Sequence, residues 1–158
     1  MRWPWSIHRL AGRGIVVDAP TIKDVVESAF PTASGSIEFE PGDRPVFLAH
    51  EDAWLELEAR AFPDIPNEYK PLRFDCEKFT RRRLAQLDDY IDRKTDLWVS
   101  AGLFEIRGKV WSVAEKSWLG HSMLIRINAK LEVALRQPFN GLEAKPLEFL
   151  KDPWLLYR

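Results

Sequence analysis

Apolar positions along this chain arrive in short bursts separated by prolines. Their spacing switches between the two-residue repeat of a strand and the three-to-four-residue repeat of a helix. Ile15-Val16-Val17 predicts a short buried strand. Thr21-Ile22-Lys23-Asp24 follows Pro20 and has the form of an N-cap with an acidic first turn. It leads a helix through Val25, Val26 and Phe30 that Pro31 stops. Ser34-Gly35-Ser36 and Glu40-Pro41-Gly42-Asp43 are loop chemistry around a short strand at 37–39, and Val46-Phe47-Leu48 predicts another strand. A second helix, from about His50 to Ala61, carries Trp54, Leu57 and Ala61 at helical spacing and ends before Pro63. A third opens at Asp75, whose carboxylate can accept from the free N–H groups of a first turn, and repeats Cys76, Phe79, Leu84, Leu87 and Ile91 on one face. Its Arg81-Arg82-Arg83 run reads as a solvated face rather than a binding patch.

From Leu97 onward the spacing turns to strands: 103–106, 109–113, 121–127 and 131–137, with Gly108 and Asn128-Ala129-Lys130 as turns. The last two strands predict a register. A hairpin centred on Ala129 pairs Ile127 with Leu131, Ile125 with Val133, Met123 with Leu135 and His121 with Gln137 on one face. The other face pairs Arg126 with Glu132, Leu124 with Ala134 and Ser122 with Arg136. The first face is apolar except at its end and the second holds an opposite-charge pair, a sorting that a one-residue slip would destroy.

Composition narrows the classes. At 158 residues the chain is expected to be one domain with a real core. With 24 acidic and 23 basic side chains, no general pull on nucleic acid or anionic membranes is expected. A lone cysteine forms no internal disulfide, and no apolar run reaches the length of a membrane span. The Met1-Arg2-Trp3-Pro4-Trp5 start lacks an apolar stretch behind its charge, so no secretory signal is read, and a cytoplasmic site of synthesis is expected with virion association left open. No cofactor signature is present: Ala11-Gly12-Arg13-Gly14 lacks the phosphate-loop lysine. No metal site is expected either, because the neighbours in His50-Glu51-Asp52 diverge around a helix and His8 has no partner spacing. The aromatic segment 152–158 is a candidate for a packed tail or for self-association.

Candidate chemistry gathers at two points. Cys76 stands at a helix start, where the positive end of the helix dipole favours thiolate, and Gly120-His121-Ser122 opens a strand. A nucleophile and base are adjacent in space rather than in sequence, so this layout suits a Cys–His pair. Free cysteines are also common as small buried hydrophobes, which is the competing reading. In the predicted hairpin Gln137 faces His121 with Cβ atoms roughly 5 Å apart. Its amide oxygen can then accept the imidazole N–H and hold the ring. Asn140 is the alternative orienter.

These residues resemble a known family. Phe74-Asp75-Cys76 with Phe79, then Gly120-His121, then a strand ending in Gln137-Pro138, is similar to the papain-like cysteine peptidase domain first known from a fungal agglutinin, and to its small bacterial and phage relatives. The upstream order of elements is also similar, so the resemblance is strongest over 15–141. It implies a papain-like α+β fold, with N-terminal helices and a central Cys-bearing helix packed on an antiparallel sheet. It further implies Cys76 as nucleophile, His121 as base and a polar third member, with an oxyanion donor among Asn67, Tyr69 and Lys70 joined by the Cys76 N–H. The chain departs from the pattern at Gln137, where relatives more often carry a carboxylate, and at Lys78, which replaces an acid. The expected activity is hydrolysis of a peptide or amide through a thioacyl intermediate. A non-catalytic binding or virion-associated module that retains the fold is the second class.

Overall fold

The computed structural model describes residues 12–31, 33, 36–40, 44–62, 76–94, 99–138 and 142–158. Asn67, Tyr69, Lys70, Asp75 and Asn140 lie outside the described residues. The molecule is built around two long antiparallel strands, β5 (Leu103–Ser112) and β6 (Ser117–Ile127). Before them come β1 (Gly14–Val17), α1 (Ala19–Ala29), β2 (Glu38–Glu40), β3 (Val46–Ala49), α2 (Glu51–Ala61), α3 (Cys76–Lys94) and β4 (Ser100–Ala101). After them come β7 (Val133–Arg136), β8 (Ala144–Lys145), a 3-10 turn at Leu147–Phe149 and β9 (Lys151–Tyr157). The class is α+β. One sheet runs β2-β9-β5-β6-β7-β8 and the other β1-β3-β4. Both are mixed rather than purely antiparallel, because β2 joins β9 in parallel and β3 joins β4 in parallel.

The central pair is covered on both faces. Ile22 and Val26 of α1 and Phe30, which caps it, share one core cluster with Phe104, Ile106, Met123, Ile125 and Ile127. On the opposite face, Trp54 and Leu57 of α2 and Leu84, Leu87 and Ile91 of α3 cluster with Leu103 and Leu124. The helical faces predicted from spacing are therefore the buried ones. Several local expectations are corrected. Asp18, not Thr21, caps α1: its carboxylate accepts from the Thr21 N–H at 3.0 Å and the Thr21 hydroxyl at 2.6 Å, so Pro20 sits inside the first turn. The Ile15-Val16 strand is real but exposed, since β1 is the edge of its sheet. Arg83 is buried, with its guanidinium 5.3 Å above the Phe62 ring, whereas Arg81 and Arg82 are exposed. Gly108 is no turn; β5 runs through it because β9 passes so close that a Cβ there would stand 2.8 Å from Leu150 and 2.9 Å from the Lys151 carbonyl.

The hairpin register is also corrected. Ile127 pairs with Val133, Arg126 with Ala134, Ile125 with Leu135 and Leu124 with Arg136, so the slip is two residues. The turn is longer than read because Asn128 organises it. Its side-chain oxygen accepts from the N–H groups of Lys130 at 2.9 Å and Glu132 at 3.0 Å, and Leu131 turns at φ 62°. A two-residue slip keeps every side chain on its predicted face and changes only its partner. Arg126 therefore loses Glu132. It instead meets Glu51 and Glu58 of α2, the latter at 2.9 Å, and Arg136 reaches the other oxygen of Glu58 at 2.9 Å. Glu58→Ala strips both arginines, one of them buried, of this carboxylate. The expected loss is about 3 kcal/mol in urea unfolding, against about 1 kcal/mol or less for Glu51→Ala, whose side chain is half exposed. Equal small losses would show that the Glu58 pairs carry no weight.

Candidate functional site

Cys76 is the first residue of α3 and is half-buried. Its Sγ accepts the backbone N–H of Ser122 at 3.4 Å. The geometry follows from where β7 stops. Pairing with β6 ends at Leu124–Arg136, and the Gln137 N–H turns away to the Glu143 carbonyl at 2.9 Å. The β6 backbone beyond Leu124 then lacks a β7 partner, and at Ser122 the helix supplies the thiol instead. The sulfur is thereby set against the peptide that joins His121 to Ser122.

His121 Nε2 lies 3.1 Å from Gln137 Oε1. The predicted contact exists although the predicted register does not. With the true register the two residues are diagonal neighbours on one face, and the length of the glutamine side chain spans the gap. The contact fixes the ring, with the proton on Nε2 donated to the amide oxygen. Burial pushes the His121 pKa below its ordinary 6.5, and the hydrogen bond that the ring donates to Gln137 opposes that only in part.

Behind the thiol lies a polar network that spacing did not reveal. Thr80, one turn along α3, donates to the Cys76 carbonyl at 2.6 Å, and the Ser122 hydroxyl lies 3.1 Å from Thr80 Oγ1. The same Ser122 hydroxyl donates to Glu105 Oε1 at 2.8 Å. Glu105 is fully buried, and Arg107 Nε donates to it at 2.6 Å while also meeting Glu77 at 3.0 Å. In an alternating strand reading, Glu105 belongs to a solvated face; only the cover of α3 makes it interior. Among the described residues no cluster of three or more His, Cys, Asp or Glu side chains could hold a metal, and no helix is long and apolar enough to cross a membrane.

No family model and no curated protein matches the sequence. Solved structures do. A chain of the PSL1a-E64 complex superposes with a TM-score of 0.63 at 12% identity, over 89% of this chain and 49% of that one. A chain of Polyporus squamosus lectin bound to the human-type influenza-binding epitope Neu5Aca2-6Galb1-4GlcNAc gives 0.62 at 11% identity, with the same coverage. The likeness is one of fold. It bears out the agglutinin side of the resemblance drawn from the sequence and leaves the peptidase side without support. This chain spans about half the length of those chains.

The buried imidazole carries a prediction about pH. With the folded pKa below 6.5, the unfolded chain takes the proton first, so stability falls as pH drops through 6.5 toward the folded value. Urea midpoints of the Cys76→Ser chain, which has no thiolate to pair with the ring, should fall between pH 7.5 and 5.5. His121→Asn in that background should flatten the decline. An unchanged slope would mean that His121 is not the buried group that titrates.

Proposed function

We propose that this chain is a papain-like cysteine hydrolase, in one domain, that attacks a peptide or amide carbonyl. The observation that carries this reading is that the Cys76 sulfur accepts the Ser122 N–H, one residue along the chain from His121, whose ring meets Gln137. In this reading Gln137 holds Nε2, and Nδ1 is the nitrogen left to act as general base toward the thiol. Cys76 loses its proton to His121, and its sulfur adds to the carbonyl carbon, giving a tetrahedral species. The protonated His121 then gives its proton to the leaving amine as the C–N bond breaks. Water, deprotonated by His121, resolves the thioester that remains. The Cys76 backbone N–H at the start of α3 is proposed as one oxyanion donor, with Asn67, Tyr69 or Lys70 as the second. Gln137 orients the ring without adding charge, with Asn140 as the alternative in that role.

The second reading is a binding module that retains the fold without catalysis. The comparisons favour it over the hydrolase, since the structural neighbours are lectin chains, one of them held with a sugar epitope. Thiol reactivity separates the two. An unperturbed cysteine is only about 0.3% thiolate at pH 6, so an activated Cys76 should be alkylated by iodoacetamide on the order of a hundredfold faster than the unfolded chain at that pH. E64, the compound named with one neighbour, is an epoxide that a thiolate can open, and it should label the same residue. His121→Ala should slow both reactions at least about tenfold. Gln137→Glu should stabilise the imidazolium and extend labelling to lower pH, whereas Gln137→Leu should slow it. Labelling of Cys76 only after unfolding would sink the hydrolase and uphold the binding module.

A further inference from the structure

Glu105 has no part in the chemistry above, yet the molecule keeps it under unfavourable conditions. It is fully buried on β5, inside the six-stranded sheet, where a carboxylate is costly unless hydrogen bonds replace its water. They do so on one oxygen only. Oε1 accepts from Arg107 Nε at 2.6 Å and from the Ser122 hydroxyl at 2.8 Å. Oε2 has no hydrogen-bond partner among the described residues, with Arg81 Nε 3.9 Å away. An apolar side chain would fill the same interior without this penalty, so packing does not account for the carboxylate.

Its partners do. The Ser122 hydroxyl that Glu105 holds belongs to the residue whose N–H donates to the Cys76 sulfur at 3.4 Å. Arg107, the other partner, meets Glu77 at 3.0 Å, and Glu77 follows Cys76 in α3. Glu105 therefore closes a loop that runs from the sulfur through Ser122, Glu105, Arg107 and Glu77 back to Cys76. We propose that Glu105 is a positioning residue for Cys76, holding the Ser122 N–H against the sulfur and so favouring the thiolate. The proposal rests on the hydrolase reading and adds to it a residue that acts through Ser122 and Arg107. Around this junction the charged and titratable groups are Glu77, Lys78 and Arg81 of α3, Glu105 and Arg107 of β5, and His121 of β6. Charge and position predict opposite signs. An anion near a thiol disfavours the thiolate, so losing the Glu105 charge should make Cys76 ionise more readily. Losing a well-placed N–H donor should make it ionise less readily.

Ultraviolet thiolate absorbance reads that sign without any turnover, because the chain has one cysteine and Cys76→Ser supplies the blank. Glu105→Gln and Glu105→Leu both remove the charge, and only the glutamine keeps an oxygen for Ser122 and Arg107. Glu105→Leu should raise the ionisation midpoint of Cys76 by about one pH unit, the worth of one hydrogen bond to a charged acceptor. Glu105→Gln should leave the midpoint at or below that of the parent. Ser122→Ala removes the hydroxyl and keeps the N–H, and it should raise the midpoint as Glu105→Leu does. Combining the two should add little, because both open the same loop. A lower midpoint in Glu105→Leu, or the same midpoint in the leucine and glutamine variants, would overturn the positioning role and leave the nucleophile standing. If Glu105→Leu does not fold, Ser122→Ala decides, and an unchanged midpoint there overturns the role. If Cys76 of the parent ionises no more readily than in the unfolded chain, the hydrolase reading fails. A further rise in Ser122→Ala would still uphold the loop, and no change would overturn it.

Discussion

Ser122 is held from three directions, and the candidate site is organised by that junction. Its N–H, at a point where β7 has already left the sheet, donates to the Cys76 sulfur. Its hydroxyl reaches Thr80 on the helix and Glu105 on the neighbouring strand. A backbone donor on a buried strand needs a partner, and the start of α3 supplies one. This brings a thiol to the residue after His121 and also marks where the cover of the sheet stops. The buried Glu105 carboxylate is part of the same constraint. It is tolerated in the interior because Ser122 and Arg107 bond to it, and removing either would leave a charge poorly compensated away from water.

The two covers of the β5–β6 pair do different work. α1 packs an apolar stripe against an apolar face, with Ile22 and Val26 fully buried. α2 and α3 cover a face that mixes Leu103 and Leu124 with Glu105, Ser122 and Arg126. Polar groups on that face must be satisfied by particular partners, which fixes the helices in place more sharply than apolar contact does. Trp54 shows this directly: its ring packs beneath Arg126 at 5.6 Å while its Nε1–H donates to the Ile127 carbonyl at 3.2 Å. The helix that carries Cys76 is docked on the polar face, where position is specified by hydrogen bonds.

A neutral residue beside His121 also has a chemical consequence. Burial disfavours the imidazolium, and an amide oxygen returns only part of what water or a carboxylate would supply. Orientation is preserved while the charge-separated state is less favoured.

Much of this was legible along the chain because it depends on local geometry. Helical spacing identified the buried faces of all three helices, and the period-two alternation put His121 and Gln137 on one face even though the turn was longer than it reads. That expectation survived because a two-residue slip preserves the face and a glutamine is long enough to reach a diagonal neighbour. Other features had no local signature. Gly108 reads as a turn until β9 is seen to press against it, and Arg126 reads as the partner of Glu132 until α2 brings Glu58 beneath it. The burial of Glu105 comes from the helix laid over it. The sequence by itself determined which residues share a helix or strand face, because backbone periodicity is a property of the chain. Tertiary structure alone decided which polar groups would be buried and paired, because burial depends on what a distant segment lays on top.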